Sequence, residues 1–144
     1  MLFRSPLGGN RYTEAIQREM GLSYEEAEEV KKGERSGKAA SGSVESVIDS
    51  VNGEVASEIA RTVDYFKTSA SNVGLDRVLV CGGVARASGL VQQLSDRMQT
   101  PVEVANPFGE IDTSGSDFDQ DALAEMAPLA SVAVGLALRS VGDR

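Results

Sequence analysis

Histidine is absent from all 144 residues. Its absence excludes Ser-His-Asp and Cys-His nucleophile arrangements, histidine general bases, and most zinc or non-haem iron sites. A single cysteine, Cys81, excludes a disulfide framework and any multi-cysteine zinc site. No stretch of about eighteen apolar residues occurs, which excludes a membrane-spanning helix. The first residues lack the basic-then-apolar order of a secretory signal. Basic residues are the scarcer sign, with 14 Lys and Arg against 22 Asp and Glu, a net charge of -8 and no basic block. Nucleic acid and anionic membrane are therefore poor partners. What is present is 41% hydrophobic, enough for one buried core. The expectation is a soluble cytoplasmic protein of one domain.

Residues 1–7 read as the end of an extended segment, with a glycine turn at Gly8-Gly9. A lone strand needs neighbours, so the structure is expected to extend upstream of Met1. A helix is expected over 10–21, with Asn10 as N-cap and Tyr12, Ile16 and Met20 one turn apart. Thr13 and Glu14 read there as ordinary first-turn residues. A second helix is expected over 23–33. Ser23 and Glu26 have capping-box spacing, Glu25 and Glu26 crowd its start, and Lys31 and Lys32 close it before Gly33. Residues 34–43 read as a flexible polar loop. Val44, Val47, Ile48, Val51, Val55, Ile59, Val63 and Phe66 then recur at steps of three and four, which predicts a long amphipathic helix over 43–69.

The period changes at 78–81, where Val78, Leu79, Val80 and Cys81 form a short apolar run before Gly82-Gly83. The run suits a parallel strand buried on both faces, with Cys81 as a small core residue. A helix over 87–99 and a strand over 101–104 complete a βαβ unit. Residues 105–121 read as a loop of small and acidic residues. Its Asp117, Asp119 and Asp121 mimic a calcium loop, but Ala122 and Pro128 break the pattern. A last helix over 122–141 is built of small residues, including Gly135, and is expected to lie close against another element.

The strand-turn-helix VLVCGGVARASGL at 78–90 carries the chemistry. Paired glycines after a strand let a flat ligand approach backbone where a Cβ would collide, at the strand end where ligands sit in open α/β sheets. Arg86 has the reach to stack on such a ligand. The bland alternative is a βα turn using glycine for geometry alone; the pattern is neither GxGxxG nor a P-loop.

CGGVARASGL is similar to the adenosine motif of the actin, sugar kinase and heat-shock ATPase superfamily. SPLGGNRYTEAI and YEEAEEVKKGE resemble segments of the cell-division protein family FtsA and, more closely, of the PilM family of type IV pilus assembly proteins. PVEVANPF and PLASVAVGLALRS also resemble the PilM family, and the matches are collinear. The resemblance implies an α/β fold: part of a ribonuclease-H-like, actin-like ATPase subdomain, helix-rich with a short mixed or parallel sheet. It implies that residues 1–144 correspond to a C-terminal portion, the second large and small subdomains, with flexible loops at 34–43 and 105–121. Gly82, Gly83 and Val84 would face ribose and the α-phosphate, with Arg86 beside adenine. Glu28, Lys31 and Lys32 match the helix that closes over adenine and ribose. Gly8 and Gly9 match the glycine pair after the second phosphate hairpin, and Gly135 lies in the helix matching the second connecting element.

The implied cofactor is ATP or ADP, held weakly as a conformational ligand. The first phosphate hairpin, the catalytic acids and DxGxxxT have no counterpart in this sequence, so magnesium would need residues outside it and no meaningful ATPase is expected. Implied partners are a PilN-like cytoplasmic tail and pilus motor components, at the cytoplasmic face of the inner membrane. An unpaired strand edge makes self-association a further expectation. The rival readings are a nucleotide-free interaction module and an FtsA-like protein.

Overall fold

The computed structural model describes residues 8–34, 41–69, 74–112, 115, 119–140 and 142. The expected strand at 1–7 lies outside these residues. Among the described residues, five helices and two strands follow in the order α1 (Gly9–Met20), α2 (Tyr24–Lys32), α3 (Ser41–Ser69), β1 (Val78–Val80), a 3₁₀ turn (Gly83–Arg86), α4 (Leu90–Met98), β2 (Val102–Val104) and α5 (Gln120–Ala137). The helix-rich α/β class with a short parallel sheet is what the residues build.

Helix α2 is written almost wholly into its own sequence. The Ser23 hydroxyl accepts from the Glu26 amide, and the Glu26 carboxylate accepts from the Ser23 amide, closing the expected capping box. Gly33, in the left-handed region at φ 78°, ends it. Helix α1 begins one residue before the expected start, with Gly8 as N-cap in place of Asn10. The chain enters extended at Gly8, whose carbonyl accepts from the Arg11 amide at 3.0 Å. That geometry moves Asn10 into the first turn, where it is exposed.

The core forms between α1, α3, α4 and the sheet, around Tyr12, Val51, Val55, Leu90, Leu94 and Val102. A smaller cluster of Ile16, Ala27 and Val30 joins α1 to α2. Helix α1 thus packs on two sides. The long stripe of α3 is buried at its centre, at Val51 and Val55, and reaches the surface at Phe66. Helix α3 also starts earlier than expected, taking Ser41 to Ser43 out of the assigned loop.

β1 and β2 pair in parallel, Val78 opposite Val102 and Val80 opposite Val104. The expected burial of β1 on both faces is not found. Val78 and Val80 pack on the core, while Leu79 is 54% exposed. The reason is coverage: helices lie over one face of the pair, and among the described residues nothing covers the other. Cys81 falls outside the strand and is exposed, so its assignment to the core is also corrected. The helix expected over 87–99 starts at Leu90, because Gly89 at φ 81° turns the chain there.

Ala105 continues the ladder, its amide donating to the Val80 carbonyl at 2.8 Å. The 105–121 segment then turns at Asn106, whose side chain accepts from the Phe108 amide at 3.0 Å. Helix α5 opens at Gln120, inside the expected loop, and closes at Ala137, short of the expected 141. Among the described residues, no helix is long and apolar enough to cross a membrane.

Candidate functional site

The turn after β1 needs glycine for its backbone. Gly82 sits at φ 93° and ψ 174°, a region that side chains rarely adopt. A Cβ placed there would meet nothing within 4 Å, so the space beside it is open. The Gly82 amide donates to the Pro128 carbonyl of α5 at 2.7 Å, docking the turn on that helix. Gly83 opens the 3₁₀ turn, and a Cβ on it would lie 3.8 Å from the Leu129 side chain, in ordinary contact. The Ala85 amide closes on the Gly82 carbonyl at 3.1 Å, and the Ala87 amide on the Val84 carbonyl at 2.9 Å.

The far end of the turn is held from α3. Asn52, fully buried, donates from Nδ2 to the Ser88 carbonyl at 2.7 Å and accepts the Tyr12 hydroxyl at Oδ1, also at 2.7 Å. Burial pushes the Tyr12 phenol up to about 12, so it remains a donor across the working pH range. A Cβ on Gly89 would lie 3.7 Å from Asn52 Nδ2.

A second polar group joins α1 to α2. The Lys31 ammonium donates to Thr13 Oγ1 at 2.9 Å, to the Gly9 carbonyl at 3.4 Å and to Glu28 Oε1. The Thr13 hydroxyl also donates to Glu28 Oε1, with the Gly9 carbonyl 3.3 Å away as a second acceptor. Both bonds to the carboxylate therefore fall on the same oxygen. The Lys31 hydrogen bond, then the Thr13 hydrogen bond, hold the Glu28 carboxyl below its usual range, with Lys31 and Lys32 adding charge attraction. Thr13 is fully buried, whereas the Glu28 and Lys31 side chains remain 23% exposed each. Water therefore reaches the pair and screens it in part.

Residues 3–141 match the family described as type IV pilus assembly protein PilM. This chain belongs to the PilM family. Among solved structures it is similar to a chain of a PilM-PilN type IV pilus biogenesis complex, at 30% identity and a TM-score of 0.75. The match covers 95% of this chain and 38% of that one, so this chain spans well under half the length of its structural neighbour.

Within this PilM-family fold, four of the nine residues singled out from sequence come together. A Cβ on Gly9 would lie 3.8 Å from Lys31 Nζ and 3.9 Å from Val84 Cγ2, and Lys31 holds Glu28. The start of α1, the end of α2 and the glycine turn therefore meet at one point. Gly82 and Gly83 adjoin it through the chain. Lys32 is exposed beside it, Gly8 caps α1 with open space around it, and Arg86 is exposed at the end of the 3₁₀ turn.

Sequence reasoning missed Thr13, Asn52 and Tyr12 as site-forming residues. For Asn52 the signal was present. It interrupts the apolar stripe of α3 at i+4 from Ile48 and one residue after Val51, where a polar side chain must find a buried partner. Thr13 left a weaker trace, flanking the Tyr12–Ile16 stripe.

Proposed function

We propose that this PilM-family chain supplies the adenosine-facing side of an adenine-nucleotide site, with ATP or ADP acting as a conformational ligand in a pilus assembly scaffold. One observation carries the reading. Gly9, Glu28, Lys31 and Val84, drawn from three separated segments, converge beside a glycine turn with open space at Gly82. The arrangement suits adenosine. Gly82 offers a flat approach, the exposed Arg86 guanidinium has the reach to stack on a purine, and the Glu28–Lys31 pair offers an acceptor and a donor to ribose hydroxyls. No residue of this chain is assigned to magnesium or to the outer phosphates, so the chain binds and does not hydrolyse.

One similar solved structure is a PilM-PilN complex. From that likeness we propose a PilN-like cytoplasmic tail as the partner of this chain, with the chain working beside pilus motor components at the cytoplasmic face of the inner membrane.

A second reading, a nucleotide-free interaction module, is favoured by α5. Met126, Leu129, Val132 and Leu136 leave an apolar surface exposed along it.

Thermal melting with a non-hydrolysable ATP analogue separates the two. A ligand at about a hundred times its Kd stabilises the folded state by about 2.7 kcal/mol, a readily measured rise in Tm. The rise is expected for the native chain and lost in Arg86→Ala. An unchanged melting curve favours the interaction module, and phosphate release above buffer background would contradict the absence of hydrolysis.

A further inference from the structure

We infer that Asn52, with Tyr12, is a positioning element that sets the Gly82–Gly89 turn relative to α1 and so couples the two halves of the site. A buried side-chain amide is costly unless both of its ends are satisfied. Here Oδ1 accepts from the Tyr12 hydroxyl and Nδ2 donates a hydrogen bond to the Ser88 carbonyl, both at 2.7 Å. An aliphatic residue at 52 would simply extend the stripe of Ile48, Val51 and Val55 into the core. The polar group instead fixes the residue just before Gly89, whose left-handed conformation ends the turn and starts α4.

The neighbour of Tyr12 in α1 is Thr13, whose hydroxyl holds Glu28. Adjacent residues of one helix thus anchor opposite sides of the site: Tyr12 the glycine turn through α3, and Thr13 the carboxylate of α2. A shift of the turn is felt at α1, and through it at the Glu28–Lys31 pair. This assignment rests on the nucleotide reading only for its ligand-binding consequence; the anchoring itself stands on the hydrogen bonds.

The test uses Tyr12→Phe, which keeps the ring and removes the hydroxyl, beside Asn52→Ala. Hydrogen exchange is followed without ligand at the amides of Ala85, Ala87 and Leu90, which close the turn, and at Val78 in β1 and Leu123 in α5 as reference. Loss of one buried hydrogen bond should cut protection of the turn amides roughly three- to tenfold relative to those two. Unchanged turn protection, which shows no anchoring, or a fall shared equally by the reference amides, which marks general packing, overturns the assignment. If Asn52→Ala does not fold, Tyr12→Phe decides alone. In a second arm, affinity for the ATP analogue is measured. A loosened turn should weaken it by a similar factor, and undiminished affinity despite a loosened turn refutes the coupling. Absence of binding by the native chain defeats the nucleotide reading and leaves the exchange arm to decide this one.

Discussion

Glu28 shows how much a single side chain depends on its two donors. Its carboxyl titrates below the usual value of 4.5 because Lys31 and Thr13 hydrogen-bond the charged form. A carboxylate whose folded pKa is depressed contributes stability above its unfolded value and loses it as pH falls through the folded one. Denaturant unfolding of the native chain should therefore show a loss of stability on acidification below 4.5 that is smaller in Glu28→Gln. Equal pH slopes in the two proteins would show that the pair contributes nothing to folding. The two glycines of the turn make a second contrast. Gly82→Ala forces a side chain into φ 93° and should cost about 1–3 kcal/mol. Gly83→Ala meets only ordinary contact with Leu129 and should leave the unfolding midpoint almost unchanged. Equal losses at both positions would locate the cost in space and not in backbone conformation.

Elements differ in how far they specify themselves. Helix α2 carries its cap, its charge order and its stop within eleven residues, 23–33, and the structure reproduces each. Helix α5 does not. Its small residues suggest close approach along its length, yet the contact with the glycine turn centres on Pro128, whose carbonyl takes the Gly82 amide. Ala124, Ala133 and Ala137 are exposed, and a Cβ on Gly135 would meet nothing within 4 Å. Gly135→Ala should then stabilise the chain by about 0.5–1 kcal/mol through helix propensity alone. A drop in Tm instead would reveal a neighbour covering that face.

At the scale of the molecule, stability rests mainly on the larger of two apolar clusters, between α1, α3, α4 and the sheet. Leu94, fully buried at its centre, should cost about 2–5 kcal/mol when cut to alanine, read as a shifted denaturation midpoint. A smaller cost would mean that the site collapses to fill the cavity. Among the described residues the two-stranded sheet has helices on one face only, with Leu79 outward on the open one. The same architecture explains why the candidate site has its position. β1 delivers the glycine turn at its carboxyl end, α3 holds that turn through Asn52, and α1 carries α2 to it.

What was legible in the sequence was local. Periodicity located α3, capping chemistry located α2, and the Gly82–Gly83 pair marked the turn, because each signal lies within a few residues and needs no partner. Family resemblance placed Glu28, Lys31 and Gly9 near that turn, which spacing alone does not do. What tertiary structure decided was burial and pairing. Whether Cys81 and Leu79 face the core depends on what covers the sheet. Whether Thr13 and Asn52 are ordinary helix residues or anchors depends on a carboxylate and a carbonyl that reach them from segments distant in the chain. Hydrogen bonds between such segments are chosen by packing geometry: the local pattern marks Asn52 as a polar break in an apolar stripe, but it does not name the partners.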